Sequence, residues 1–291
     1  MANVIKIKKG LDINLKGKAS DVLLNGGKSD SYAIVPDYYN GIVPKVVAKV
    51  GEKVKAGSVL MIDKNRPEIK FVSPVSGEVT AVNRGEKRKV LSVVVKPEAQ
   101  IEYEDFGKKN VASLKREEVK EAILHAGMWP FIKQRPYDIV AAPLDTPRDI
   151  FVSAFYSAPL APNFDFIVKG QEADFQTGLN ALAKLTNGKV YVGVRSGSVV
   201  SGMKGVEIVE VEGPHPAANV GVQINHIKPV NKGEVVWTVN PADVIVIGRL
   251  FNKVSPISAV WLLLPVPRLP REATLKRFQV VRLRAWLTVK C

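Results

Sequence analysis

The sequence predicts an α+β multidomain chain in which a compact, turn-rich β-module is followed by a Rossmann-like α/β domain. Three observations carry that reading. Between residues 32 and 97, short apolar-alternating segments recur at close, even spacing with Gly, Pro and Asn turn signals between them, the pattern of a sandwich or partly open barrel. From about 136 to 254, apolar strand-like runs alternate with a helical pattern, which favours a mostly parallel sheet with covering helices. A chain of 291 residues is also long enough for two domains, each with a core of its own.

Residues 1–31 carry Lys6-Ile-Lys-Lys-Gly10, Lys16-Gly-Lys18 and Asn25-Gly-Gly-Lys28, and are expected to form an edge strand and loops with a solvated basic face. In the module, residues 32–97, the strand candidates are 32–35, 43–48, 59–62, 69–71, 78–82 and 90–95, separated by turns at Asn40-Gly41, Val50–Gly57, Pro74–Gly77 and Asn83-Arg-Gly85. The phrase Val50-Gly-Glu-Lys-Val-Lys-Ala-Gly-Ser-Val-Leu60 resembles the hairpin of biotinyl and lipoyl carrier domains, and Ser73-Pro-Val-Ser-Gly-Glu-Val79 resembles their closing turn. The resemblance implies a biotinyl/lipoyl-like barrel-sandwich hybrid. Such a carrier bears its cofactor on one lysine at the hairpin tip, and Asp63-Lys64 superficially matches. The span from Lys64 to Ser73 is longer than that hairpin allows, Pro67 alters the tip, and no Met-Lys-Met signature occurs, so Lys64 is rejected as an attachment site and read as a surface lysine.

Residues 98–254 form the expected α/β domain. A helix is predicted from Leu114 to Leu124, with Ser113 as its cap and Gly127 beyond its end. The tract Gly127-Met-Trp-Pro-Phe131 reads as a junction packed on a core, or alternatively as an aromatic wall near a ring-shaped ligand. Strands are expected at 138–142, 150–154, 190–194 and 206–211, and a short helix at 177–185. A dinucleotide site needs a glycine-rich loop after the first strand so that backbone amides can approach the pyrophosphate. At that position stands Ala141-Ala-Pro-Leu-Asp-Thr-Pro-Arg148, whose prolines remove donors, which argues against a conventional NADH site. The loop Gly193–Gly202 with Arg195 is read as an ordinary connection rather than an anion cradle. In Gly213-Pro-His-Pro-Ala217, flanking prolines present His215 at a rigid turn, where it could donate to a ligand carbonyl, relay a proton or cap a loop.

Composition excludes several chemistries. The single cysteine, Cys291, leaves no disulfide framework, cysteine-based metal site or iron–sulfur ligand set, and three histidines far apart in sequence give no metal cluster. No early run approaches the roughly 18 apolar residues of a membrane-spanning helix, and the N-terminus lacks a signal core, so a cytoplasmic location is expected. The net charge of +14 is concentrated: residues 255–291 hold seven basic residues against Glu272, a net of +6.

Lys6–Asp12, Asp63-Lys64, Val72–Gly77, Asn83–Arg88, Gly127-Met-Trp129, Arg135-Pro136, Gly213–Ala217, Val236-Trp237 and Asp243–Phe251 resemble the A-subunit family of the Na+-translocating NADH:quinone reductase, nearly continuously over residues 1–251. The resemblance implies a peripheral protein on the cytoplasmic face of the bacterial inner membrane, partnered with the other reductase subunits, especially the quinone-side membrane subunit, and with no nucleic-acid role. It implies no covalently bound cofactor here: NADH, FAD, FMN and iron–sulfur centres belong to other subunits, with quinone as substrate of the complex. No catalytic residue or metal ligand transfers by motif. Gly213, Pro214, His215, Pro216 and Trp129 are the quinone-proximal candidates. The family continues past Phe251 in a way that residues 255–291, rich in Arg, Pro and Leu, do not match, and this tail is read as an aberrant end on a truncated subunit, with a basic membrane anchor as the alternative. The competing function class is a free-standing carrier or binding protein using the lipoyl-like module at Lys64.

Overall fold

The computed structural model describes residues 3–13, 20–25, 29–159, 161–253, 260–264 and 273–277. Strand β1 (Asn3–Lys6) is an edge strand, as expected, but of the α/β sheet, to whose far side it adds in parallel. After β2 (Ser20–Asn25) comes the module: β3 (Tyr32–Ile34), β4 (Pro44–Val46), β5 (Lys53–Val54), β6 (Val59–Asp63), β7 (Lys70–Val72), β8 (Gly77–Arg84) and β9 (Val90–Pro97). They form two antiparallel sheets, β3-β9-β8-β5 and β4-β6-β7. Alternation along the strands buries Leu60, Phe71, Val79, Val93 and Val95 in one core, which Ile69 and Val75 join from the connections. At the corner between β7 and β8, the buried Ser73 hydroxyl donates to the Val75 carbonyl (2.6 Å). A Cβ on Gly77 would lie 1.9 Å from the Lys96 carbonyl oxygen, so only glycine lets the turn close against β9.

Helix α1 (Arg116–His125) starts later than its sequence pattern suggests. Ser113 lies in a tight turn capped by Asn110, Leu114 is extended, and the first helical turn is closed by Glu118 accepting from the Lys115 amide (2.6 Å). The rest of the domain runs β10 (Ile132–Arg135), β11 (Ile139–Val140), β12 (Ile150–Ser153), α2 (Phe164–Val168), α3 (Glu172–Leu185), β13 (Val190–Val194), β14 (Glu207–Glu212), α4 (Val220–Ile227), β15 (Val236–Val239) and α5 (Pro241–Asn252). The sheet order is β1-β14-β13-β12-β15-β10-β11, parallel from β1 through β15 and antiparallel for β10 and β11. The segment expected to open the parallel unit, 138–142, is therefore the antiparallel edge, and β12 opens it instead. Two further strands, β16 (Val260–Leu264) and β17 (Ala273–Arg277), pair with each other, and β17 pairs with β2; the remainder of the 255–291 tail lies outside the described residues.

The module is fastened to the sheet edge. Asn40 and Gly41 lie against β11: the Asn40 carbonyl accepts from the Val140 amide (2.9 Å), and a Cβ on Gly41 would meet Ile139 at 2.6 Å. Arg66, on the β6–β7 hairpin, bonds the Asp63 carboxylate (2.8 Å), the Gly41 carbonyl (2.9 Å) and the Val140 carbonyl (3.1 Å), tying the hairpin tip to both. On the neighbouring contact, Gly127 sits against Val72.

Candidate functional site

From β12 the chain moves outward through β13 and β14, then returns through α4 to place β15 on the other side of β12. Loops leaving β12 and β15 diverge at that reversal, and in open α/β sheets the resulting crevice at the strands' carboxyl ends is where ligands bind. Here it holds a cleft of about 760 Å³, within the range of small-molecule sites.

Five stretches distant in sequence build its walls. The end of β12 and the loop beyond supply Ser153, Phe155 and Tyr156, while the end of β15 and the start of α5 supply Thr238 to Pro241 and Asp243. Ala218 to Val222 bring the start of α4, Pro130 to Arg135 bring the chain entering β10, and Tyr38 and Tyr39 reach across from the β-module. Local signals set each piece. Asn240 caps α5 by accepting from the Ala242 amide (3.1 Å), with Pro241 at the first helical position, which fixes Asp243 in the first turn facing the cleft wall.

The electrostatics of the cleft centre on Asp243. Burial pushes its carboxyl up to about 7 against the opposing pull of Lys133. The Tyr39 phenol is raised to about 12 by burial and then by the Asp243 charge. Tyr156 is raised to about 12 by the same two causes, partly offset by its hydrogen bond to the Asn240 side chain (3.2 Å). Both tyrosines are therefore hydrogen-bond donors at any physiological pH. Lys133 and Arg135 add positive charge on the β10 side, and the Arg195 guanidinium stacks over the Phe155 ring at 4.7 Å.

The sequence candidates fall differently. Trp129 is fully buried, donates its indole N–H to the Ala141 carbonyl (2.8 Å) and packs edge-on against Trp237. It is a core residue, as the junction reading of its tract has it, while Pro130 and Phe131 of the same tract line the cleft. Gly213, Pro214, His215 and Pro216 do not line the cleft. They form a knot behind it: the His215 amide donates to Asp12 (2.8 Å), its carbonyl accepts from Leu11 (2.9 Å), and its ring Nδ1 meets the Ser157 hydroxyl at 3.1 Å. The Gly10–Asp12 and Gly213–Pro216 motifs thus explain each other. A Cβ on Gly10 would lie 2.1 Å from the His215 carbonyl oxygen, and one on Gly213 would lie 2.2 Å from that of Ile7.

Lys64 is exposed, with its amide bonded to the Val43 carbonyl (2.7 Å), on a hairpin that Arg66 ties down. In the Gly193–Gly202 loop, Ser198 bonds Asp165 (2.6 Å) and caps a short turn. Among the described residues no group of three His, Cys, Asp or Glu could hold a metal ion. The loop after β12, Ala154 to Asn163, contains no glycine, so the dinucleotide fingerprint is missing at the true first strand as well as at the expected one.

Residues 5–98 match the NqrA N-terminal barrel-sandwich hybrid domain, and residues 114–255 match the NqrA second alpha/beta domain, in that order. The chain belongs to the NqrA family. Among relatives, the A-subunit of the Na(+)-translocating NADH-quinone reductase of Hahella chejuensis is 40% identical over 254 residues, covering 86% of this chain and 57% of that protein. The same subunits of Neisseria meningitidis serogroup A and Yersinia pestis are 38% and 36% identical, over 85% and 86% of this chain and 56% and 57% of theirs. The chain therefore spans a little over half the length of these relatives. The matched regions include every residue of the cleft.

Proposed function

We propose that the chain serves as the quinone-side subunit of a Na+-translocating NADH:quinone reductase, peripheral on the cytoplasmic face of the membrane, and that the cleft between β12 and β15 binds the quinone headgroup. Its partners are the other reductase subunits, chiefly the membrane subunit on the quinone side, and the NADH, FAD, FMN and iron–sulfur centres reside on them. No described helix is long and apolar enough to cross a membrane, which agrees with a peripheral place. One observation carries the quinone reading: a switch-point cleft without the glycine loop of a dinucleotide site, walled by Phe131, Phe155, Tyr39 and Tyr156. Aromatic faces suit a flat ring by stacking, and the Tyr39 phenol suits a carbonyl oxygen as a donor, the Tyr156 O–H being given to Asn240.

The carrier alternative fares worse. A carrier lysine must travel between sites, whereas Lys64 sits on a tip held to β11 by Arg66. Calorimetric titration of ubiquinone-1 into the full chain tests the proposal. Saturable binding is expected, weakened roughly tenfold by Phe131→Ala or Phe155→Ala and unchanged by Lys64→Ala. Binding indifferent to both phenylalanine substitutions would remove the quinone from this cleft.

A further inference from the structure

Asp243 is an acidic group on the cleft wall that Lys133 influences at a distance without closing an ion pair. Among the described residues no hydrogen bond or ion pair reaches its carboxyl group, although the same helix places Arg249 against Asp174 and neighbouring acids are paired. An ionisable group kept half-buried at a cavity wall without a partner costs stability and is characteristic of a functional position.

The groups around it come from every wall. Tyr39 approaches from the module, Tyr156 from the loop after β12, and Lys133 from β10, with Arg135 and Asp138 at the rim and paired with each other (3.4 Å). Tyr156 already has Asn240 as a partner. The α4 wall, Asn219 to Val222, brings no titratable group. The site is thus donor-rich except at Asp243, whose carboxyl is a donor only while it holds its proton.

Resting on the quinone reading of this cleft, we propose that protonated Asp243 donates a hydrogen bond to one quinone carbonyl, and that its ionisation withdraws the donor and sets a carboxylate against the carbonyl oxygen, so that quinone affinity is controlled by the state of this one side chain. Burial sets the switch near neutrality. A ketone carbonyl accepts and cannot donate, so the neutral acid is complementary to it and the carboxylate is not. The two tyrosines do not change state over the same range and cannot supply the switch.

The test is ubiquinone-1 affinity for the full chain between pH 5.5 and pH 9, an interval in which the quinone itself does not titrate. Affinity should be level in the acid range and fall toward tenfold per pH unit once the carboxyl ionises, as linkage requires when only the protonated form binds. Asp243→Asn, which keeps the shape and a permanent donor, should bind at every pH with a flat profile. Asp243→Ala should bind weakly with a flat profile. Wild-type binding that is saturable but level across the range overturns the switch while leaving the quinone site standing, and so does Asp243→Asn binding that keeps the wild-type fall. Absence of saturable binding at any pH overturns both.

Discussion

Replacing Arg66 with alanine removes the staple between the β-module and the α/β sheet, and its cost can be worked from the contacts. The guanidinium makes three hydrogen bonds: one to Asp63, whose side chain is 1% exposed, and two to carbonyls of residues 41 and 140. Breaking a buried ion pair by deleting one partner typically costs about 3–5 kcal/mol. Two features reduce that figure here. Asp63 keeps the amides of Val43 and Asn65 as donors (3.0 and 3.1 Å), and the Arg66 side chain is 21% exposed, so water can enter behind it. About 2–4 kcal/mol is expected, and about half of that for Arg66→Lys, which keeps the charge but loses the fork. Urea unfolding followed by tryptophan fluorescence and by far-ultraviolet circular dichroism is the assay. Wild type should unfold in one transition by both probes. Arg66→Ala should separate the module from the α/β domain, giving two transitions or probes that no longer coincide. A change below about 0.5 kcal/mol with coincident probes, the range of an ordinary surface substitution, would refute the claim that this hairpin tip is fixed rather than mobile.

Further outcomes follow from individual side chains. Because the folded-state value of Asp243 is raised from 3.8 to about 7, the folded protein holds this proton longer than the unfolded chain, and stability falls as pH climbs through that interval. Asp243→Asn should therefore gain on wild type by about 2 kcal/mol between pH 4 and pH 8, roughly half of what 1.36 kcal/mol per unit would give, since the site is only half-buried; calorimetric melts at the two pH values read this directly. Trp129→Ala should destabilise by about 3–5 kcal/mol as a core deletion, against under about 1 kcal/mol for a residue on an open wall, measured by the same melts. His215→Ala should cost about 1 kcal/mol through the lost Ser157 bond while leaving ubiquinone-1 affinity within about twofold; a tenfold loss of affinity would return His215 to the site.

Much of the β-module was legible because its turns are chemically marked and its strands alternate. Gly77, Gly41 and Gly57 all have positive φ, and the segments between such turns became strands. Strand β5 escaped because it is two residues long and sits inside a glycine-bounded stretch read as a turn. In the second domain the losses have another cause. Helix α5 buries nine of its twelve residues, so Val244-Ile-Val-Ile247 shows no polar face and no helical period, and its β-branched residues look like a strand. Tertiary packing overrides that preference. A Cβ on Gly178 would lie 2.0 Å from the Val244 carbonyl oxygen and one on Gly248 would lie 1.7 Å from that of Asp174, which is the close helix contact that seats α5 on α3.

The candidate cleft was harder to see than the fold. Its residues come from five stretches between Tyr38 and Asp243, joined only where the strand order reverses, so no local spacing announces them. The usable signal was Asn240-Pro-Ala-Asp243, a helix start with an acid in its first turn. The Gly213–Pro216 motif was visible for the opposite reason: its prolines and glycine are prominent where the backbone is tightly constrained by Ile7 to Asp12.

Photocrosslinking with an azido-ubiquinone, followed by peptide mapping on the full chain, tests the placement of the quinone most directly. Adducts at Tyr38-Tyr39, Phe131 to Arg135, Phe155-Tyr156 or Ala218 to Val222, competed away by ubiquinone-1, are the predicted result. Competable adducts confined to Gly213–Pro216, or to the hollow of about 300 Å³ beside His125, with none on the cleft walls, would contradict it.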